Sequence, residues 1–363
     1  MVARSQRQPR PDLRQLVTTS GQSGGEVTSR IEFDGAPTVE AMQWARGVLA
    51  EAVPALVGKT AGVRVLRGGP KRLAVLDMRA GPGLVLKQYS DDRGAWTRRW
   101  LQRLAEAGFA PPGRFAVTPA PGWSGTHRTL VTEVAPGAAW TDWLLAPAAD
   151  RDVAAVAAAD WLTALQALPV ALPDRTGYRA GEELRRESGR LADRYPDSAD
   201  RLLRVADAAH GRLYGDPSSP GTGLVASHGD LHPENLHLAA GGPLTVTAID
   251  LDTAGLRRPA YDAGYALGQL LVVSWMRTGS FQPGAAAGLA FWRRWTACGG
   301  TDAEAVPAEV ARALVQSLHF ELITYRTGRA DLLDRWLGVA IAVLAGGVPA
   351  TFSALTTGQE PTS

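Results

Sequence analysis

Asparagine is almost missing from this chain. Among 363 residues only Asn235 carries that side chain, and it stands in HGDLHPENLHL, His228 to Leu238, beside three of the six histidines. Lysine is nearly as scarce: of 38 basic residues only Lys59, Lys71 and Lys87 are lysines, so arginine serves wherever a generic positive charge suffices. Cys298 is the sole cysteine, which excludes an intramolecular disulfide framework and a multi-cysteine zinc site and fits a reducing, cytoplasmic location. A surplus of one charge is lacking too. The formal net charge is +2 with acids and bases mixed along the chain, so no polybasic stripe offers itself to nucleic acid or to an anionic membrane. Long unbroken apolar runs are absent. The opening MVARSQRQPRPDLRQ has no apolar core of signal-peptide length. Trp336 to Leu355 is interrupted by a Gly-Gly pair and Pro349, short of the ~20 unbroken residues a membrane span needs, and is expected to be a buried helix ending near Gly346.

What is present is enough for a core: 45% of residues are hydrophobic. Residues 1 to 30 are polar and without apolar periodicity, and are expected to form a tail. From Pro37 to Val53 the positions Val39, Met42, Trp44, Val48 and Leu49 suggest an amphipathic helix. GVRVLR, RLAVLDMR and LVLKQY then read as strands of a small antiparallel sheet, separated by Gly- and Pro-rich turns. Helical spacing returns over residues 93 to 107, and strands at Arg114 to Thr118 and His127 to Val134. Beyond Pro136 long Ala-, Leu- and Arg-rich segments predict helices, interrupted once by LHL and LTVTAID. The expectation is an α+β chain: residues 31–135 a mainly β lobe, residues 136–363 a mainly α lobe, with one cleft between them.

The chemistry sits in the interruption. A turn after Leu238 folds the chain back and delivers Asp250 beside the loop that carries Asp230 and Asn235. Two carboxylates and one amide oxygen suit Mg2+, and the amide limits negative charge where a polyphosphate must approach. Phosphoryl transfer needs such a metal site, a lysine on the phosphates and a carboxylate that orients the attacking hydroxyl. Asp230 and Asn235 are separated by the interval of the kinase catalytic loop, and Lys87 lies in the third strand of the small sheet. The turn RGGPK, Arg67 to Lys71, is placed to bring backbone N–H groups near phosphates. Lys87, Gly68, Gly69 and Glu133 form the expected nucleotide-contacting set. A zinc site on the three loop histidines fits less well, because their spacing spans loop and strand rather than one helix face. His232 and His237 read as polar groups bonding the backbone of a tight loop, and His228 as a buttress beneath Asp230. Asp262 reads equally as a helix cap or as support for the loop.

Together HGDLHPEN, AIDLD and RRPAYDAGYAL resemble the signature series of the aminoglycoside phosphotransferase and choline kinase family, over roughly Val63 to Leu271. The resemblance implies a two-lobed protein-kinase-like fold and transfer of the γ-phosphoryl group of ATP, or GTP, to a hydroxyl of a small molecule such as an antibiotic or other natural product. It implies Asp230 as catalytic base, Asn235 and Asp250 as Mg2+ ligands, and Lys87 on the α and β phosphates. Asp252 matches the second carboxylate of the family's I-D-x-D or I-D-x-E variant, and Asp262 the family's P-x-x-D-L-A position, whose role is usually structural. One departure stands out. Aligning Trp96 to Leu104 with the family's R-E-x-x-x-L-x-x-L helix puts Thr97 where a glutamate normally pairs with the lysine. Asp91 or Asp92 is expected to replace it from the preceding turn, or phosphates alone hold the lysine. A kinase acting on Ser or Thr of a peptide and a non-catalytic nucleotide-binding module are the competing readings. For the acceptor, Ala263 to Thr301 contains no Asp or Glu but carries Arg277, Arg293 and Arg294, which points to a neutral, aromatic or partly anionic compound. Glu321, Asp331 and Asp334 are the acidic groups that would favour a polycationic one.

Overall fold

The computed structural model describes residues 39–67, 71–169, 171–173, 180–214, 223–241 and 243–359. The expected tail over residues 1 to 30, and Gly68 and Gly69 of the expected phosphate turn, lie outside them.

Helix α1 (Val39–Ala52) turns Ala41, Trp44, Ala45, Val48 and Leu49 inward, a stripe with the i, i+3, i+4, i+7 spacing of one helix face. Val39 and Met42, expected on that face, are 72% and 37% exposed; Val39 falls on the opposite side of the stripe. The stripe covers strands β1 (Thr60–Arg67), β2 (Leu73–Met78) and β3 (Leu84–Gln88), whose inward residues Val63, Ala74, Leu76, Leu84 and Leu86 complete a small separate core. Helix α2 (Arg93–Glu106) follows, then β4 (Phe115–Val117), β5 (Gly122–Ser124) and β6 (Thr129–Glu133). The first sheet is antiparallel in the order β1-β2-β3-β6-β5, so Lys87 sits on its central strand, paired with Leu73 on one side and Leu130 on the other. β4, a strand the sequence suggested, does not join this sheet. It pairs in parallel with a strand from far along the chain, a partnership that local pattern does not reveal.

The second lobe begins at β7 (Ala138–Ala139), the short α3 (Trp140–Trp143) and α4 (Ala148–Gln166), followed by α5 (Ala180–Arg194) and α6 (Ala199–Tyr214). Strands β8 (Val225–Ser227), β9 (Leu236–Ala239), β10 (Thr245–Ala248) and β11 (Gly255–Arg257) then frame two loops. β9 and β10 pair antiparallel within a sheet of order β4-β10-β9-β7, and β8 pairs with β11. Helices α7 (Ala260–Thr278), α8 (Gln282–Ala297), α9 (Val306–His319, ending in a π turn over Phe320–Thr324) and α10 (Asp331–Thr356) enclose the main core. The fold is thus α+β and two-lobed, with an antiparallel β lobe and a larger, mainly helical one. α10 does not end near Gly346 as expected. It breaks at Gly347 (φ 75°, ψ 175°) and resumes as far as Thr356, because Pro349 falls in the first turn of the new segment, where its missing N–H is not needed. This helix is long and apolar enough to cross a membrane, yet Leu332, Trp336, Leu337, Val339, Val343 and Phe352 are buried inside the lobe.

Candidate active site

Between β8 and β9 the chain makes a tight loop. Gly229 turns it at φ 82°, and a Cβ there would lie 2.3 Å from the Thr253 carbonyl oxygen and 2.5 Å from Arg257 Nη1, so only glycine fits. His228 is fully buried, with Nε2 2.9 Å from the Ile249 carbonyl oxygen and Nδ1 accepting from Asp230 N–H at 3.3 Å. It therefore joins the two loops. The Asp262 carboxylate, 1% exposed, accepts from His228 N–H at 2.7 Å and Gly229 N–H at 2.9 Å. Those bonds decide between its two readings: Asp262 supports the loop and does not cap α7, whose start has no side-chain cap. His232 Nδ1 accepts from Glu234 N–H at 3.1 Å and opens the short turn Pro233–Asn235. His237 is held by the Gly137 backbone, and burial lowers its pKa. The Asn235 amide donates from Nδ2 to the Asp230 carbonyl at 2.9 Å, which leaves its oxygen for another partner. Ile249 N–H donates to the Asn235 carbonyl at 3.0 Å and so sets Asp250 next to Asn235.

Asp250 is left-handed (φ 58°, ψ 52°), a conformation tolerated by aspartate and often found at functional sites. That bend throws the chain into a single 3-10 turn, Leu251–Thr253, and returns Asp252 toward the same point. Lys87 Nζ then lies 2.6 Å from Asp250 Oδ1 and 2.7 Å from Asp252 Oδ2. Asp252 Oδ1 accepts from the Tyr89 hydroxyl at 2.7 Å and the Thr97 hydroxyl at 3.1 Å. Burial disfavours the Lys87 charge, but the two carboxylates outweigh it and raise its pKa. The carboxylates differ. Burial raises the Asp250 pKa despite Lys87, with Asp252 and Asp230 adding repulsion; at Asp252 burial is overcome by Lys87, Tyr89 and Thr97, and the pKa falls.

Asp230, Asn235, Asp250 and Lys87 are thus brought together across the junction of the lobes. Glu133 is not among them. It closes β6 opposite Leu84 at the far end of β3 from Lys87, with its N–H on the Pro119 carbonyl (2.9 Å) and its carbonyl accepting the Thr118 hydroxyl (2.7 Å). Neither aspartate expected to replace the helix glutamate does so: Asp91 accepts from Arg93 N–H at 3.0 Å, and Asp92 faces Arg128 at 3.9 Å. The carboxylate beside Lys87 comes from Asp252 instead. Tyr265 also escaped the sequence reading; its hydroxyl bonds to the Asp230 carboxylate, and burial with that charge pushes its pKa well up. The only available signal was its position one turn after Asp262 on the same helix face. For Tyr89 the signal was strand alternation, which puts it on the same face as Lys87, 5.5 Å from Nζ to ring centroid.

As a donor set, two carboxylates and a pre-oriented amide oxygen fit a hard divalent cation, and no cluster of three His, Cys, Asp or Glu able to hold a metal occurs among the described residues. The pattern of the phosphotransferase enzyme family matches residues 67–305. No curated protein matches the chain. Among solved structures it is similar to the GDP complex of an aminoglycoside 2'-phosphotransferase-IIIa (15% identity, 85% of this chain and 98% of that one, TM-score 0.54). It is similar to the amicoumacin kinase hAmiN in complex with AMP-PNP, Ca2+ and Ami (16%, 90% and 96%, 0.53). The Plasmodium vivax ethanolamine kinase shares the fold at 10% identity, with 87% and 91% covered and a TM-score of 0.51. The chain belongs to the phosphotransferase enzyme family and is a small-molecule kinase with an alcohol group as acceptor.

Proposed function

We propose that this kinase transfers the γ-phosphoryl group of ATP, with GTP as the other candidate donor, to a hydroxyl of a small natural product, antibiotics included, and uses Mg2+. The observation that carries the reading is the convergence of Lys87, Asp250, Asn235 and Asp230 on one point, with Lys87 delivered from the first lobe and the rest from the second. Lys87 holds the α and β phosphates. Asn235 and Asp250 are the residues for Mg2+, which when bound neutralises phosphate charge. Asp230, steadied by Tyr265, orients the acceptor hydroxyl. Its oxygen bonds to the γ-phosphorus as the bond to the ADP oxygen breaks, and the proton passes late to Asp230. GDP and AMP-PNP in two of the similar structures support a nucleotide donor. The non-catalytic reading drew on Thr97; Asp252 beside Lys87 removes that ground.

The acceptor is read from neighbouring charges. Two arginines of the acid-free segment are already engaged, Arg277 by Asp142 at 3.1 Å and Arg294 by Asp160, so they do not argue for an anionic acceptor. Asp331 and Asp334 are engaged by Arg329 (2.9 Å) and Arg201 (2.8 Å), which counts against a polycationic one. Arg312 is buried next to Tyr261 and Tyr265, bonds Glu309 through Nε at 2.5 Å, and keeps Nη2 without a hydrogen-bond partner among the described residues. Buried and paired with Glu309 in this way, Arg312 argues for an anionic acceptor no more than Arg277 and Arg294 do, and these neighbouring charges favour a neutral, hydroxyl-rich acceptor. ADP release across a panel of hydroxyl compounds, aminoglycosides included, tests the reading. Asp230→Asn should retain nucleotide binding and lose turnover about 100-fold or more. Near-normal turnover by this variant rejects the role of Asp230, and fast turnover of a kanamycin-type acceptor rejects the acceptor class.

A further inference from the structure

We infer that Asp252 is the residue that orients Lys87 for the nucleotide, doing from the second lobe what a helix glutamate does within the first lobe in the family pattern, with the Thr97 and Tyr89 hydroxyls as its supports. The inference rests on the reading of Lys87 as the phosphate-contacting residue.

Lys87 meets two carboxylates at almost equal distance, 2.6 and 2.7 Å, and the surroundings divide the work between them. The Asp250 side chain is 40% exposed and is bound through Oδ1 to Lys87. It can turn toward a cation beside Asn235 by giving up that one bond. Asp252 is 16% exposed and occupied on both oxygens: Oδ2 by Lys87, Oδ1 by Tyr89 and Thr97. With Asp250 on the cation, turning Asp252 away would strand the Lys87 ammonium and the Tyr89 hydroxyl in a half-buried pocket, an arrangement that polar groups avoid. Lys87 therefore keeps Asp252 when Asp250 is called to the metal.

Helix α2 is built for this. Gly94 lets the helix start lie against Tyr89 and Trp123, where a Cβ would come within 2.7 and 2.2 Å of their rings. Thr97, one turn on, is 2% exposed, and its single hydroxyl proton has the Arg93 carbonyl (3.2 Å) and the charged Asp252 oxygen (3.1 Å) as choices. A glutamate at this position would put a second negative charge against Asp252. The helix thus carries a hydroxyl where the family pattern has a carboxylate, and the second carboxylate of the I-D-x-D motif, Asp252, stands beside Lys87 and accepts that hydroxyl. One consequence is mechanical: the lysine's partner now bridges the lobes, so Lys87 is oriented only while they are closed together.

Relocating the charge tests this. Affinity for ADP by calorimetry and kcat and KM for ATP are compared in wild type, Asp252→Ala, Asp252→Asn, Thr97→Glu and the double variant Asp252→Ala with Thr97→Glu. Loss of a charged partner should lower kcat/KM for ATP about 10- to 100-fold in both Asp252 variants, with weaker ADP binding. Thr97→Glu alone should also lose activity through repulsion. The double variant should regain about tenfold or more over Asp252→Ala, which a merely structural role for Asp252 does not permit. If Asp252→Ala does not fold, Asp252→Asn, whose amide oxygen can still accept from both hydroxyls, is compared alone and combined with Thr97→Glu. Unchanged ADP affinity and turnover without the Asp252 carboxylate, or a double variant no better than the single one, overturns the inference and leaves the nucleotide site standing. Wild-type protein that does not bind ADP overturns both.

Discussion

Replacing Asp262 by alanine separates two jobs that one aspartate at a helix start can do. Its carboxylate is 1% exposed and accepts two backbone N–H bonds, at 2.7 and 2.9 Å, from His228 and Gly229. Hydrogen bonds to a charged group contribute about 1.5–3 kcal/mol each, and a buried N–H left unpaired costs about 1–3 kcal/mol. Removing the carboxylate also recovers the cost of burying it, so the net loss of stability should be about 2–4 kcal/mol. With an unfolding entropy of about 2.1 cal/mol/K per residue over 363 residues, that lowers Tm by about 3–5 °C. Activity should suffer more. Asp230 follows Gly229 directly, so a slack loop misplaces the carboxylate that faces the acceptor, and kcat should fall about tenfold or more. ADP affinity should change less than about threefold, because Lys87 stands on a different strand in the other lobe. A helix cap alone would cost about 1 kcal/mol and leave turnover intact. Thermal melting, turnover and ADP calorimetry on the same preparation provide the three readings. A variant that melts within a degree of wild type and turns over within a factor of two refutes the loop-support role.

Two further expectations concern other groups. Burial, aided by the Glu183 charge, pushes the Glu187 carboxyl up to about 7, above its unfolded value, despite Arg186, Arg312 and Arg190. The stability from the protonated form is fully present below the unfolded value of 4.5 and is lost as pH rises through about 7, so Glu187→Gln should match wild type near pH 4 and exceed it by about 1–3 kcal/mol near pH 8.5. A difference in Tm that does not widen over that range contradicts the assignment. Tyr265→Phe removes the hydroxyl that bonds Asp230 and should slow turnover about 3- to 10-fold at unchanged ADP affinity; a shift in ADP affinity instead would place Tyr265 at the nucleotide.

Much of the site was legible because its spacing is local. The loop from His228 to Asn235 and the hairpin return to Asp250 depend on residues close in sequence, and the folded chain puts Asp230, Asn235 and Asp250 in one place. The helices of the second lobe were legible for the same reason, since apolar periodicity is a property of one segment. Boundaries were less so: the break at Gly347 looked like an end, and only the packing of Phe352 and Leu355 shows the helix resuming. β4 could not be assigned to a sheet from its own residues, because its partner β10 lies more than a hundred positions away. Glu133 was placed by tertiary pairing alone: opposite Leu84, it sits at the far end of β3 from Lys87.

Thr97 marks the division most clearly. By itself the sequence determined the family and the class of reaction, and the scarcity of asparagine and lysine with the motif spacing named Asn235, Lys87, Asp230 and Asp250 as its candidate residues. It also registered that the helix lacked its glutamate. What replaced it was a tertiary matter, because Lys87 and Asp252 are 165 positions apart and meet only when the lobes close. Short-range pattern carries the bonding rules of one segment; which distant carboxylate meets a lysine is set by how the segments pack. Sequence made Thr97 look like a loss, and the packed lobes put Asp252 in its reach.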